Sequence, residues 1–253
     1  INAMPYGIAD FALAEFTDKG EPITYVSSDT TVATIIDNHV VHIMGAGTSN
    51  ISASQDGNDY YNPAPTITQV LTVTKANQVI NFPAIPVCTF GQDTFTLVAT
   101  VNSGLEIVFE SSNEAVATVS GRVVTIVSAG QCVITASAPG NKNYYTATSV
   151  EQALVVNKAQ PVIEFATIEG EHTYGDDPIA LSASSDNGEV TFTSSNPSKL
   201  FIFGGNAIMQ GAGTFTITAS LDEDANHLAA STSQVVTVNK AALTVAADNL
   251  SRS

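Results

Sequence analysis

Few side chains in this sequence are of a type and spacing suited to chemistry. Cys88 and Cys132 lie 44 residues apart. In an oxidising compartment they can close a disulfide worth about 3–4 kcal/mol in the chain-entropy account. As small apolar groups they can equally pack without pairing. Asp222-Glu223-Asp224 and Asp176-Asp177 gather oxygens of the kind calcium prefers. Neither follows the alternate-position spacing and glycine turn of a calcium loop, and solvated loop ends explain them equally well. His39 and His42 are close, without a third ligand at metal spacing. Of the other two histidines, His172 stands alone and His227 falls at a loop position discussed next. No Gly-x-Ser-x-Gly elbow is present, and Gly204-Gly205 reads as a hairpin turn, not a phosphate loop. The expectation is a protein that is not an enzyme, with no catalytic residues, no metal site and no cofactor.

Paired aromatics are the remaining candidates. Tyr60-Tyr61 and Tyr144-Tyr145 fall at corresponding places, where His227-Leu228 also stands. Such a pair can offer a flat face to a sugar or a protein. More commonly one ring plugs the end of a β-fold. Tyr61 and Tyr145, matched to Leu228, are expected as plugs. Tyr60, Tyr144 and His227 are the expected surface-binding candidates, with a host or neighbouring-cell glycan or protein as partner.

These residues sit in a chain that is a threefold repeat. Ser27-Ser28-Asp29 returns as Ser111-Ser112-Asn113 and Ser194-Ser195-Asn196. Gly45-Ala46-Gly47 returns as Ser128-Ala129-Gly130 and Gly211-Ala212-Gly213, and Lys75-Ala76 as Lys158-Ala159 and Lys240-Ala241. The offsets stay at 82–84 residues. That period exceeds the roughly 20–50 residues of solenoid units and suits a small domain with its own core. The expected units are 1–76, 77–159 and 160–241, with 242–253 opening a fourth. The joints are strand residues plus two or three connectors, not a Gly/Ser linker, so orientation should be restricted.

Each unit reads as strands alone. Runs such as Phe95–Val101, Leu105–Ser111, Val116–Val119, Val123–Val127 and Cys132–Ala136 are β-branched and end at Gly, Asn, Ser or Pro. No stretch keeps a helical apolar period over three turns. In the third unit Phe215, Ile217 and Ala219 share one face and should point inward. Six or seven antiparallel strands in about 83 residues need two packed sheets. The expected fold is all-β: three tandem immunoglobulin-like β-sandwiches in an elongated array.

Composition narrows the function classes. The 253 residues carry 8 Lys+Arg against 24 Asp+Glu, a net charge of −16. That excludes a phosphate-binding basic face and a polybasic membrane patch. Acidity is uneven, with 8, 5 and 10 acids in successive units, so no shared acidic site follows. Apolar runs fall far short of the roughly 18–20 residues of a membrane helix. The opening Ile1-Asn2-Ala3-Met4-Pro5 lacks the basic and apolar regions of a signal peptide. The expectation is no nucleic acid, no membrane insertion and a monomer.

The run Ser111-Ser112-Asn113-Glu114-Ala115-Val116-Ala117-Thr118-Val119, followed by Val123-Val124-Thr125-Ile126 and Ala129-Gly130, resembles bacterial immunoglobulin-like repeats of the intimin/invasin type. Tyr6-Gly7, Phe90-Gly91 and Tyr174-Gly175, with the Lys-Ala unit ends, resemble the Tyr-Gly signature of MBG-type repeats. The resemblance implies a stalk or spacer segment of a secreted, extracellular bacterial surface protein of the adhesin kind. Its alternative is a glycan- or protein-binding module in cell adhesion. The first unit departs from the pattern. Only 5 residues separate Ile1 from Tyr6, against 10 between Ile80 and Phe90, so its opening strand is expected to be shortened or replaced.

Overall fold

The computed structural model describes residues 2–245. Most of the expected fourth-repeat opening, 246–253, therefore lies outside the described residues. Every regular element among the described residues is a strand.

The three units share one topology. In the second, Val108–Ser111, Gly130–Ser137, Val150–Asn157 and Cys88–Thr89 make one sheet, in that order. Phe95–Thr96, Val123–Ile126 and Ala117–Ser120 make the other. The two inner faces meet in a core of Leu97, Val116, Val124, Phe109, Ile134, Leu154 and Val156, all buried. The first unit repeats this with Thr24–Ser27, Gly47–Gln55, Ala64–Thr74 and Met4–Pro5 facing Phe11–Ala12, Val40–Ile43 and Ala33–Ile36. The third repeats it with Thr191–Ser194, Gly213–Leu221, Ala230–Asn239 and His172–Thr173 facing Ile179–Ala180, Asn206–Met209 and Leu200–Phe203. Register is preserved too: Ile51 pairs with Gln69, Ile134 with Gln152 and Ile217 with Gln234. Each unit is a β-sandwich of immunoglobulin-like form.

Three clusters of buried residues form, and none contains residues from two repeats. The accessible surface is 15619 Å². A compact 26.3 kDa monomer would show roughly 10,600 Å². The excess fits three small cores and not one shared interior.

Local sequence explains the shape. Phe215, Ile217 and Ala219 do point inward, at 3%, 0% and 0% exposure. The Ser-Ser-Asx triplets are the corners where the chain passes from one sheet to the other. Asp29, Asn113 and Asn196 accept backbone N–H bonds from the two residues three and four positions ahead, and their side chains bond nearby groups. Gly204-Gly205 is a two-residue hairpin turn with φ of 56° and 76°, as its sequence indicated.

Two details differ from the sequence reading. The run Phe95–Val101 is broken, because Phe95–Thr96 pairs with Val123–Val124 whereas Thr100–Val101 pairs with Ile80–Asn81 in a separate ladder. Arg122 bridges the gap, its Nη1 donating to the Leu97 and Ala99 carbonyls at 3.4 and 3.1 Å. The sheets are also not wholly antiparallel. Met4–Pro5, Cys88–Thr89 and His172–Thr173 each run parallel to the last strand of their unit.

Candidate functional site at the joints between repeats

The aromatic loops and the Lys-Ala unit ends, read separately from sequence, meet at the joints. At the first joint the Ala76 amide donates to the Asn143 carbonyl and the Tyr145 amide donates to the Ala76 carbonyl, each at 2.9 Å. Lys75 Nζ reaches the Asn141 carbonyl at 2.7 Å. The Asn143 Oδ1 accepts the Ala46 amide at 2.9 Å, 97 residues away in sequence. Tyr144 sets its ring edge-on to Tyr6, centroids 5.4 Å apart.

The second joint is a copy. The Ala159 amide donates to the Asn226 carbonyl at 2.8 Å, and the Leu228 amide to the Ala159 carbonyl at 2.9 Å. Lys158 Nζ donates to Glu223 Oε1 and to the Asp224 carbonyl. Asn226 Oδ1 accepts the Ala129 amide at 2.8 Å. His227 lies edge-on to Phe90 at 5.3 Å. Each joint thus has three parts: a short parallel bridge from the linker, an asparagine lock across the gap, and an aromatic contact from the Tyr/Phe-Gly corner.

The loop that supplies the lock is itself held rigid. Asn141 Oδ1 accepts the amides of Asn143 and Tyr144 at 2.8 and 2.9 Å. Asp224 Oδ1 does the same for Asn226 and His227, both at 2.7 Å. The Asn226 amide, the Asn187 side-chain amide and the His227 ring and amide hold the Asp224 carboxyl far below the usual carboxylate range. The acidic run 222–224 thus contributes a loop brace and a Lys158 partner. Among the described residues no group of three or more His, Cys, Asp or Glu is arranged to hold a metal.

The same hydrogen bonds correct the alignment of the aromatic pairs. In the first unit Asn58 Oδ1 accepts the amides of Tyr60 and Tyr61. Tyr61 therefore corresponds to Tyr144 and His227, and Tyr60 to the locking Asn143 and Asn226. The sequence reading was one residue out at this loop, because both tyrosine pairs looked alike. Of the three surface candidates, Tyr144 and His227 are occupied by the joints, and Tyr60 stands 87% exposed. Tyr61 and Tyr145, expected as plugs, are 44% and 51% exposed, and neither is among the residues of its unit's core cluster.

No family model matches the chain, and no curated protein does. Solved structures of low identity do. Mouse protocadherin-24 EC1-3 is 14% identical, with 95% of this chain and 96% of that chain covered, at a TM-score of 0.36. Drosophila N-cadherin EC1-3 is 16% identical over 91% and 92%, at 0.33. A SusE-like surface-located polysaccharide-binding protein of Bacteroides thetaiotaomicron is 16% identical, with 89% of this chain but 44% of that one covered, at 0.27. Likenesses this distant carry no argument about function.

The other residues singled out from sequence are scattered. His39 Nδ1 lies 2.7 Å from the Asp37 carbonyl and His42 Nδ1 2.7 Å from Asp10 Oδ1, so the pair converges on no common point. Cys88 and Cys132 are free, buried thiols. Cys88 is level with Val156 and Cys132 with Leu154, on opposite sides of the strand Val150–Asn157. Two strand spacings separate them, roughly 10 Å, against the 4.4–6.8 Å between Cα atoms that a disulfide spans. Of the two alternatives left open by the sequence, the structure holds the unpaired one. The corresponding positions carry Met4 and His172, and Ser49 and Phe215, so these are packing sites filled differently in each unit. Burial pushes the Cys88 thiol pKa up. Alkylation of the unreduced, unfolded chain is expected to add two labels by mass; zero labels would reinstate the disulfide.

Proposed function

We propose that the chain is a spacer: three sandwich modules, 1–76, 77–159 and 160–241, whose joints fix reach and direction in an extracellular, adhesin-like surface protein. The observation that carries this is the duplication of the whole joint. Lys75, Ala76, Ala46, Asn143 and Tyr144 recur as Lys158, Ala159, Ala129, Asn226 and His227, with the same hydrogen bonds. A linker needed only to tether would have no reason to repeat a lock that joins residues 97 positions apart. The repeat resemblance noted from sequence supports this role.

Small-angle scattering of the chain tests it. Three modules in line, each roughly 35 Å long, give a maximum dimension on the order of 100 Å and a radius of gyration near 30 Å. A compact fold of this length would give about 18 Å. The smaller value would end the spacer reading. A second reading, a glycan- or protein-binding module, is favoured by one observation: Tyr60 projects from the outer end of the first unit, 87% exposed. Glycan-array binding that is lost in Tyr60→Ala would support it.

A further inference from the structure

The smaller sheet of each sandwich ends in an edge strand. Ala33–Ile36, Ala117–Ser120 and Leu200–Phe203 each pair on one side only among the described residues. The edge is open in the first and second units, each of which has a module after it, so it belongs to the sandwich and not to a place in the chain. An open edge invites another strand, and charge is a common guard against that. In the first unit Asp29 and Asp37 stand before and after the strand. In the second, Glu114 precedes it, Arg122 follows it, and Glu110 is exposed on Val108–Ser111, the strand that leads into the same corner.

The third unit lacks this guard. From Val190 to Leu221 the chain holds one base, Lys199, and no acid, although the unit carries 10 acids. Ser198-Lys199 and Gly204-Gly205 bracket the strand. Its outward positions are Thr34 and Ile36 in the first unit and Thr118 and Ser120 in the second, but Phe201 and Phe203 here. The two rings are 41% and 69% exposed, with centroids 6.2 Å apart and planes within 11° of parallel. Ile208, opposite Phe201, extends the apolar face. Phe203 and Asn206 flank a two-residue turn and so form a hydrogen-bonded pair, as Phe201 and Ile208 do. The N–H and C=O of Ile202 between them therefore face the open edge.

We propose that this edge is a contact between two copies of the chain, made by antiparallel pairing of Leu200–Phe203 about a two-fold axis at Ile202. A second copy carries the same charge of −16, so two chains approach most readily where acids are absent. Of the three matching edges only this one meets that condition. Pairing centred on Ile202 exchanges two main-chain hydrogen bonds there. It sets Phe201 opposite Phe203 of the second copy, and Phe203 opposite Phe201 of the second copy. These are non-hydrogen-bonded positions, where facing side chains lie closest. Four rings then form one cluster on the outer face. Lys199 falls opposite Gly205, which keeps the two lysines apart. The two chains run in opposite directions along the shared strands. One strand edge is a small contact, so the dimer is weak, and the monomer expected from composition is the dilute state.

Sedimentation equilibrium of the full chain tests this, with a dimer expected at a dissociation constant on the order of 100 μM. Raising the salt from about 0.1 M to about 0.5 M should tighten it, because screening relieves the repulsion between two acidic chains. Phe201→Thr with Phe203→Ser gives the strand the residues that the second unit carries, Thr118 and Ser120. Its circular dichroism should be unchanged and its dimer at least about tenfold weaker. A Phe201→Cys chain mixed with a Phe203→Cys chain should oxidise to a covalent dimer faster than either chain alone, because only the mixture places the two thiols opposite each other. A chain that stays monomeric at about 1 mM in the higher salt would overturn the proposal. So would a dimer that the double substitution leaves intact, or cysteine chains that couple as fast alone as when mixed. A monomer whose glycan-array binding the double substitution abolishes would assign the face to a sugar and end the proposal as well.

Discussion

Leu154→Ala is expected to destabilise the second module selectively while the first and third keep their stability. Leu154 is fully buried on the strand Val150–Asn157 and packs at the centre of a cluster confined to residues 80–156. Truncating a buried leucine costs about 2–5 kcal/mol, because apolar transfer is lost and a cavity remains. A module of some 83 residues has roughly 4–12 kcal/mol in all. The loss should lower that module's melting transition by at least about 10 °C. The positions matching Leu154 are Leu71 and Val236, each inside its own cluster. Hydrogen exchange should therefore quicken across 80–156, leaving amides near Leu71 and Val238 protected except at the joints. Equal loss of protection in all three regions would mean one cooperative core. The division at Ala76 and Ala159 would then be abandoned.

Much of a single sandwich was legible in sequence because its signals are local. Period-2 alternation puts Phe215, Ile217 and Ala219 on one face whatever the tertiary context. The Ser-Ser-Asx corners and the Gly204-Gly205 turn depend on backbone preferences within four residues. The Gly-Ala-Gly motif was legible as a repeat but not as a device. Gly47, Gly130 and Gly213 take φ near 150°, and a Cβ at Gly47 would lie 2.7 Å from Val32, so the site demands glycine. The alanine before it, in the first two units, is the donor to the asparagine lock. That second role could not be read, since donor and acceptor lie 97 residues apart and the bond uses a main-chain amide that any residue but proline supplies. The same reason hid the true register of Tyr60. Paired tyrosines gave a pattern match, whereas the matching is set by which amides Asn58, Asn141 and Asp224 cap. The break at Leu97 recurs in the third unit between Ile179–Ala180 and Ala183–Ser185, where Gly205 stands at the place of Arg122, so it belongs to a topology in which one run serves two ladders, and nothing in the apolar pattern anticipates it.

Replacing both locks, Asn143→Ala with Asn226→Ala, is expected to leave every module folded and to loosen the array. Each change removes the Oδ1 acceptor of an amide at the joint, from Ala46 or Ala129. A partly buried amide left without its partner costs about 1 kcal/mol or more. It should be felt as coupling between neighbours and not as stability within either. The bridge through Ala76 or Ala159 and the ring contacts Tyr6–Tyr144 and Phe90–His227 remain, so the modules stay tethered but sample more directions. Scattering should show a lower radius of gyration and a broader distance distribution, at unchanged melting temperatures. Asn143→Asp with Asn226→Asp keeps the acceptor oxygen and should restore the extended particle, whereas a lock that worked only by filling space would not distinguish Asp from Ala in this way. Unchanged scattering in the double alanine chain would show that the bridges alone set direction. The first module's outer loop carries Tyr60 where the other two carry asparagine, so that loop cannot offer this acceptor.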